Sequence, residues 1–132
     1  MVIDASALVA VLLGEPEAEA MLRAIAGDPR RLVGAVSMLE AAMVMDSRLG
    51  PAGARELDLL IHGGAMQIVA MTAEQVELAR ECYSRFGKGR HPARLNLGDC
   101  CSYALSLHSG EPLLFKGGDF VQTDVKVAKY AP

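Results

Sequence analysis

No apolar run in the sequence is long enough to cross a bilayer. The longest, Ala5 to Leu13, is nine residues flanked by Asp4 and Glu15, against the ~20 that a span needs. No basic segment precedes it and its flanks are acidic, so this run is not expected to serve as a secretory leader. A basic excess is also missing: Lys plus Arg number 13 against 16 Asp plus Glu, a formal charge of −3. That balance excludes a protein that coats nucleic acid by charge alone. Cysteine is scarce and odd in number. Cys100 and Cys101 are adjacent and point to different faces of a helix, so with Cys82 they make neither a disulfide framework nor a metal knuckle. Free thiols in a reducing cytoplasm fit better. His62, His91 and His108 lack ligand spacing, which argues against zinc. Repeats, low-complexity tracts and Gly/Pro/Ser-rich linkers are absent, so residues 1–132 are expected to form one domain.

What is present is a core-forming chain, 52% hydrophobic, which excludes disorder. Short apolar runs alternate with helical periodicity. Met1–Ile3, Leu32–Val36, Gln67–Ala70 and Pro112–Phe115 read as strands. Ala5–Leu13, Glu15–Ile25, Ser37–Leu49, Ala52–His62, Thr72–Phe86 and Asp99–His108 read as helices. Thr72 and Gln75 form a capping pair, and Val76, Ala79, Cys82, Tyr83 and Phe86 share one apolar face. Tyr83 and Phe86 are therefore expected in the core, where seven methionines serve as filler or helical interface. The alternation predicts a parallel α/β sheet covered on both faces, with its functional crevice beyond the carboxyl ends of the strands.

Four acids fall at that edge. Asp4 follows the first strand, Glu40 lies one turn into the helix after the second, Asp99 opens the helix after a basic loop, and Asp119 follows the fourth strand. Grouped carboxylates raise one another's pKa unless a cation lies between them. Mg²⁺ takes oxygen ligands from one or two carboxylates and keeps several waters, and a water so bound is a hydrolytic nucleophile. The same residues also have structural readings. Asp4 or Ser6 can cap the first helix, and Ser37 with Glu40 matches an S-x-x-E capping box. Asp99 can serve as a helix-dipole charge and Asp119 as a turn residue.

Val2-Ile-Asp4-Ala-Ser6-Ala-Leu8, Ser37-x-x-Glu40, Leu95-Asn-Leu-Gly-Asp99-Cys100 with Tyr103-Ala-Leu105, and Leu113-Leu-Phe-Lys-Gly-Gly-Asp119-Phe120 with Thr123-Asp124 together resemble the PIN-domain family, and within it the VapC toxins. The resemblance runs the length of the chain, in order. It implies a three-layer fold with a small parallel sheet of four or five strands, and a Mg²⁺- or Mn²⁺-dependent ribonuclease, the toxin of a type II toxin–antitoxin pair. Asp4, Glu40, Asp99 and Asp119 carry over as metal ligands. In that reading Ser6 and Ser37 fix the carboxylates by hydrogen bonds. The resemblance also implies three partners: an RNA substrate, a VapB-like antitoxin and a second copy of the chain. The chain departs from the pattern where relatives often carry a further acid, at Gly117-Gly118, which makes Asp124 a possible substitute ligand. A non-catalytic PIN-like module that binds RNA or protein is the rival reading. A phosphotransferase using Asp4 as nucleophile is a weaker one, because the usual second aspartate two residues on is Ser6.

The segment from Arg80 to Arg94 sets Arg80, Arg85, Lys88, Arg90 and Arg94 against a single acid, Glu81. Lys88, Arg90 and Arg94, on a loop expected to be mobile, are candidates to hold RNA phosphates, with Lys116 as a fourth. Setting aside the four proposed ligands, 12 acids stand against 13 bases. The negative surplus is thus concentrated in one site.

Overall fold

The computed structural model describes residues 1–131. Four short strands, β1 (Val2–Ile3), β2 (Leu32–Gly34), β3 (Gln67–Val69) and β4 (Leu113–Leu114), form a parallel sheet in the order β3-β2-β1-β4. Val2 pairs with both Leu32 and Leu113. Six helices flank it: α1 (Ala5–Leu12), α2 (Ala18–Gly27), α3 (Ala35–Leu49), α4 (Pro51–Gly63), α5 (Ala73–Phe86) and α6 (Leu97–Ser109).

Successive strand residues face opposite sides, and the chain uses this to build two cores. Ile3, Val33 and Leu114 pack with Leu8, Met21, Ala41, Leu57 and Ile61 from α1 to α4. Val2, Leu32 and Leu113 pack with Cys82, Phe86, Tyr103 and Leu105 from α5 and α6. Central strands buried on both faces must be apolar throughout, as these are. The result is the expected three-layer fold with four strands.

Three expected boundaries move. β2 ends at Gly34, and α3 begins at Ala35 with Gly34 as its cap. Ser37 is therefore inside the helix, and the Ser37/Glu40 capping box does not form. α2 begins at Ala18, after a Glu15-Pro16-Glu17 turn. α6 begins at Leu97, capped by Asn96. On α5 the buried stripe is Gln75, Cys82 and Phe86, whereas Val76 and Tyr83 are each 42% exposed. Gln75 is buried because its side-chain amide donates to the Ala70 carbonyl at 3.1 Å. Thr72 does cap α5, accepting from the Gln75 amide. Cys82 and Cys100 are buried and all three thiols are free. Among the described residues, no helix is long and apolar enough to cross a membrane.

Candidate active site

Asp4 leaves the end of β1 with its amide donating to Leu114 O at 2.9 Å, so it is fixed against β4. Its carboxylate caps α1 and is also 97% buried: Oδ2 accepts from the Ser6 amide at 2.9 Å and the Ser6 hydroxyl at 2.6 Å. Oδ1 accepts from the Ser102 hydroxyl at 2.5 Å. Ser102 lies on α6 and meets the Ser37 hydroxyl of α3 at 2.9 Å. The Lys116 amide, just past β4, donates to the Ser6 oxygen at 3.0 Å. The capping and site readings of Asp4 are thus compatible. Three hydrogen bonds occupy its carboxylate, which offers roughly four acceptor positions.

Asp99 occupies the first turn of α6. It accepts from the Asn96 amide at 3.0 Å, while Asn96 Oδ1 accepts from the Asp99 amide at 2.9 Å, a reciprocal capping box. Burial pushes its carboxyl up to about 6; the Asn96 bond opposes this, and the charges of Asp4 and Asp119 add to it. Glu40 is also raised, first by burial and then by Asp4 and Asp99. Glu40 thus lies in the fields of Asp4 and Asp99, and Asp99 in those of Asp4 and Asp119, the last of which is exposed. The Glu40 carboxylate rests on Gly98: a Cβ there would stand 2.7 and 2.8 Å from its two oxygens.

Asp124 is engaged by other partners. Its oxygens accept from Tyr103 Oη at 2.6 Å and pair with Arg85 at 3.2 Å. The Tyr103 bond and the Arg85 charge hold it below the ordinary carboxylate range, against burial.

Among the described residues, no three His, Cys, Asp or Glu side chains form a ready-made metal shell. The donor set nevertheless fits a hard divalent cation. Every candidate donor is a carboxylate oxygen, Glu40 and Asp99 are held above the ordinary carboxylate range by burial and by neighbouring negative charge, and Gly98 clears space for Glu40. Mg²⁺ is commonly held by one or two carboxylates plus waters rather than by a protein cage.

The basic loop joins α5 to α6 and leads into the Asp99 end of α6. α5 and α6 run antiparallel, with His108 Nδ1 3.6 Å from Glu74 Oε2 at their far ends, so residues 87–96 lie at the Asp99 end of α6. The loop is braced rather than loose. The Lys88 amide donates to Leu95 O, the Leu95 amide to Phe86 O, and the Ala93 amide to His91 Nδ1, each at 3.0 Å. Lys88, Arg90 and Arg94 are exposed. The Arg90 guanidinium lies 5.2 Å from the Tyr83 ring centroid, which places that tyrosine at the surface rather than in the core. Lys116 instead pairs with Glu15 and, at 3.5 Å, with Glu17.

Sequence reasoning missed Ser102, Asn96 and the clearance at Gly98. Two of these were legible in principle. Asn96-x-x-Asp99 has capping-box spacing, and Ser102 is one helical turn after Asp99 on the same face.

The PIN domain family model matches residues 1–126. The chain is 55% identical over 125 residues to a protein of Mycolicibacterium smegmatis named Ribonuclease VapC, covering 95% of this chain and 97% of that one. It is 53% identical over 125 residues to Ribonuclease VapC30 of Mycobacterium tuberculosis, with 95% of each covered. Among solved structures it resembles Mycobacterium tuberculosis VapC20, described as a Sarcin-Ricin loop cleaving toxin. The TM-score there is 0.77 at 19% identity, with 98% of each chain covered, a likeness of fold.

Proposed function

The chain belongs to the PIN-domain family, and on that premise we propose that it is an endoribonuclease of the VapC kind, dependent on Mg²⁺ or Mn²⁺, the toxin of a type II toxin–antitoxin pair. The observation that supports the reading is the packing of the Glu40 carboxylate against Gly98, next to Asp99, with Glu40 raised by Asp4 and Asp99, and Asp99 by Asp4 and Asp119.

Asp4, Asp99, Glu40 and the more exposed Asp119 would hold the cation. When bound, it supplies a water of lowered pKa and positive charge against the phosphate. Ser6 and Ser102 keep the Asp4 carboxylate in one orientation, and Asn96 does the same for Asp99. Glu40 orients the attacking water or helps hold a second ion. Lys88, Arg90 and Arg94 hold backbone phosphates on the approach to Asp99, and Lys116 joins them only by leaving Glu15 and Glu17.

A VapB-like antitoxin and a second copy of the chain are the proposed protein partners, and the cytoplasm the proposed compartment. Support for protein partners comes from the large apolar side chains that α3 and α4 leave exposed, Leu39, Met43 and Leu59. Purified protein should cut RNA with added Mg²⁺ or Mn²⁺ and stop in EDTA. A protein that binds RNA and leaves it whole would instead be the non-catalytic module.

A further inference from the structure

We propose that Ser102, with Ser37 behind it, is a positioning residue that holds Asp4 Oδ1 for the metal. The proposal rests on the metal-dependent reading above. An ionised carboxylate only accepts, so the 2.5 Å contact between Ser102 and Asp4 uses the single Ser102 hydroxyl proton. The 2.9 Å contact between Ser37 and Ser102 must then run from Ser37 to Ser102. The relay has one direction: Ser37 donates to Ser102, which donates to Asp4.

All three side chains are at least 97% buried, so water cannot substitute for a lost hydroxyl. Hydrogen bonds in such chains polarise one another, which strengthens the last link. The relay also ties the site's elements together. Ser37 lies on α3 one turn before Glu40, Ser102 lies on α6 one turn after Asp99, and through Ser102 the relay reaches Asp4, the residue after β1. Ser6 holds the other oxygen, Oδ2, so Ser102 alone fixes Oδ1. Ser37 touches neither Asp4 nor any candidate ligand in the hydrogen-bond pattern and acts only through Ser102.

The test is calorimetric titration of Mn²⁺ alone into the wild-type protein and the S102A, S37A, S37A/S102A and D4N variants, with thermal melts of each metal-free protein. Outer hydroxyls that orient a ligand are worth tenfold or more in metal affinity, so S102A should weaken Mn²⁺ binding about tenfold. S37A should weaken it about threefold, as the more distant link. The double variant should match S102A, because Ser37 has no route to Asp4 without Ser102. At saturating Mn²⁺ the single variants should recover cleavage to within about twofold of wild type, since only affinity is lost.

Mn²⁺ affinity unchanged in S102A while its melting temperature falls would make the hydroxyls packing groups only and overturn the proposal. An S37A loss that persists in the S102A background would overturn it too. If S102A does not fold, S37A carries the test, and unchanged Mn²⁺ affinity in S37A is then the contrary result. Failure of the relay is distinguishable from failure of the functional reading. In the first case wild type binds Mn²⁺ and D4N does not; in the second, wild type itself binds none, and both fall.

Discussion

Gly98 lies directly beneath Glu40, so that any β-carbon at position 98 would stand 2.7 and 2.8 Å from the glutamate's two oxygens. Gly98 is in the first turn of α6 with no left-handed backbone requirement, so alanine is compatible with its conformation and would favour the helix by up to ~1 kcal/mol. Gly98→Ala is therefore expected to keep or raise thermal stability. It should nonetheless cut metal-supported RNA cleavage about tenfold by displacing Glu40, in line with the cost of disturbing a ligand's support. A melt beside a single-turnover cleavage assay separates the two effects, and full activity in this variant would free Glu40 from its assigned role.

Asp99 makes a prediction about pH. Its carboxyl titrates near 3.8 when unperturbed and is pushed up to about 6 in the folded protein, by burial first. Between those values the folded state holds more protons than the unfolded one, so this residue's contribution to stability falls as pH rises through the window. Asparagine at 99 cannot ionise and still accepts from the Asn96 amide. Metal-free Asp99→Asn should thus match wild type at about pH 4 and exceed it at about pH 7.5, by on the order of 2 kcal/mol. Denaturant melts of both proteins in EDTA at the two pH values measure it, and parallel stability curves would contradict it.

Asp119 and Asp124 should separate cleanly. Asp124 is engaged by Tyr103 and Arg85, whereas Asp119 lies close enough to raise Asp99. Asp124→Asn is expected to leave cleavage within about twofold and cost well under 1 kcal/mol, because the Arg85 pair is half-exposed. Asp119→Asn should lower cleavage and shift the metal requirement upward. The reverse ranking would move the fourth ligand to Asp124.

The basic loop is tested by salt. Arg90→Ala and Arg94→Ala should each weaken RNA binding and reduce the slope of log affinity against log salt by about 1. Lys116→Ala should mainly cost stability, since Lys116 is paired with Glu15 and Glu17. Fluorescence anisotropy at several salt concentrations reads the slopes, and slopes unchanged in both arginine variants would remove the loop from the interface.

Much of this was legible in the sequence. The alternation of apolar runs and helical periodicity gave the layered parallel sheet, because strands buried on both faces leave little freedom of composition. Asp4, Asp99 and Asp119 stand out in the sequence because each sits next to a strand end or a helix start, whereas Glu40 lies in the second turn of α3 and stands out only by its S-x-x-E spacing. Of the two readings of Ser37 the capping one fails, because S-x-x-E spacing is the same whether serine precedes a helix or lies within it, and Gly34, one turn earlier, caps α3 instead. Tyr83 was misread as core because α6 covers only part of the apolar face of α5, leaving Tyr83 beside Arg90. The spacing of Ser102 from Asp99 marks it as a neighbour of the site, but its bond to Asp4, 98 residues away, comes only with the fold.

The central claim is that these carboxylates hold a cation that cleaves RNA. Its most direct measurement is cleavage of a defined RNA by purified protein stripped with EDTA and then given Mg²⁺ or Mn²⁺. The account predicts no cleavage in EDTA, recovery on adding metal, and no recovery in Asp4→Asn. Cleavage that persists in EDTA or in Asp4→Asn, or RNA that is bound and left intact with metal present, would contradict it.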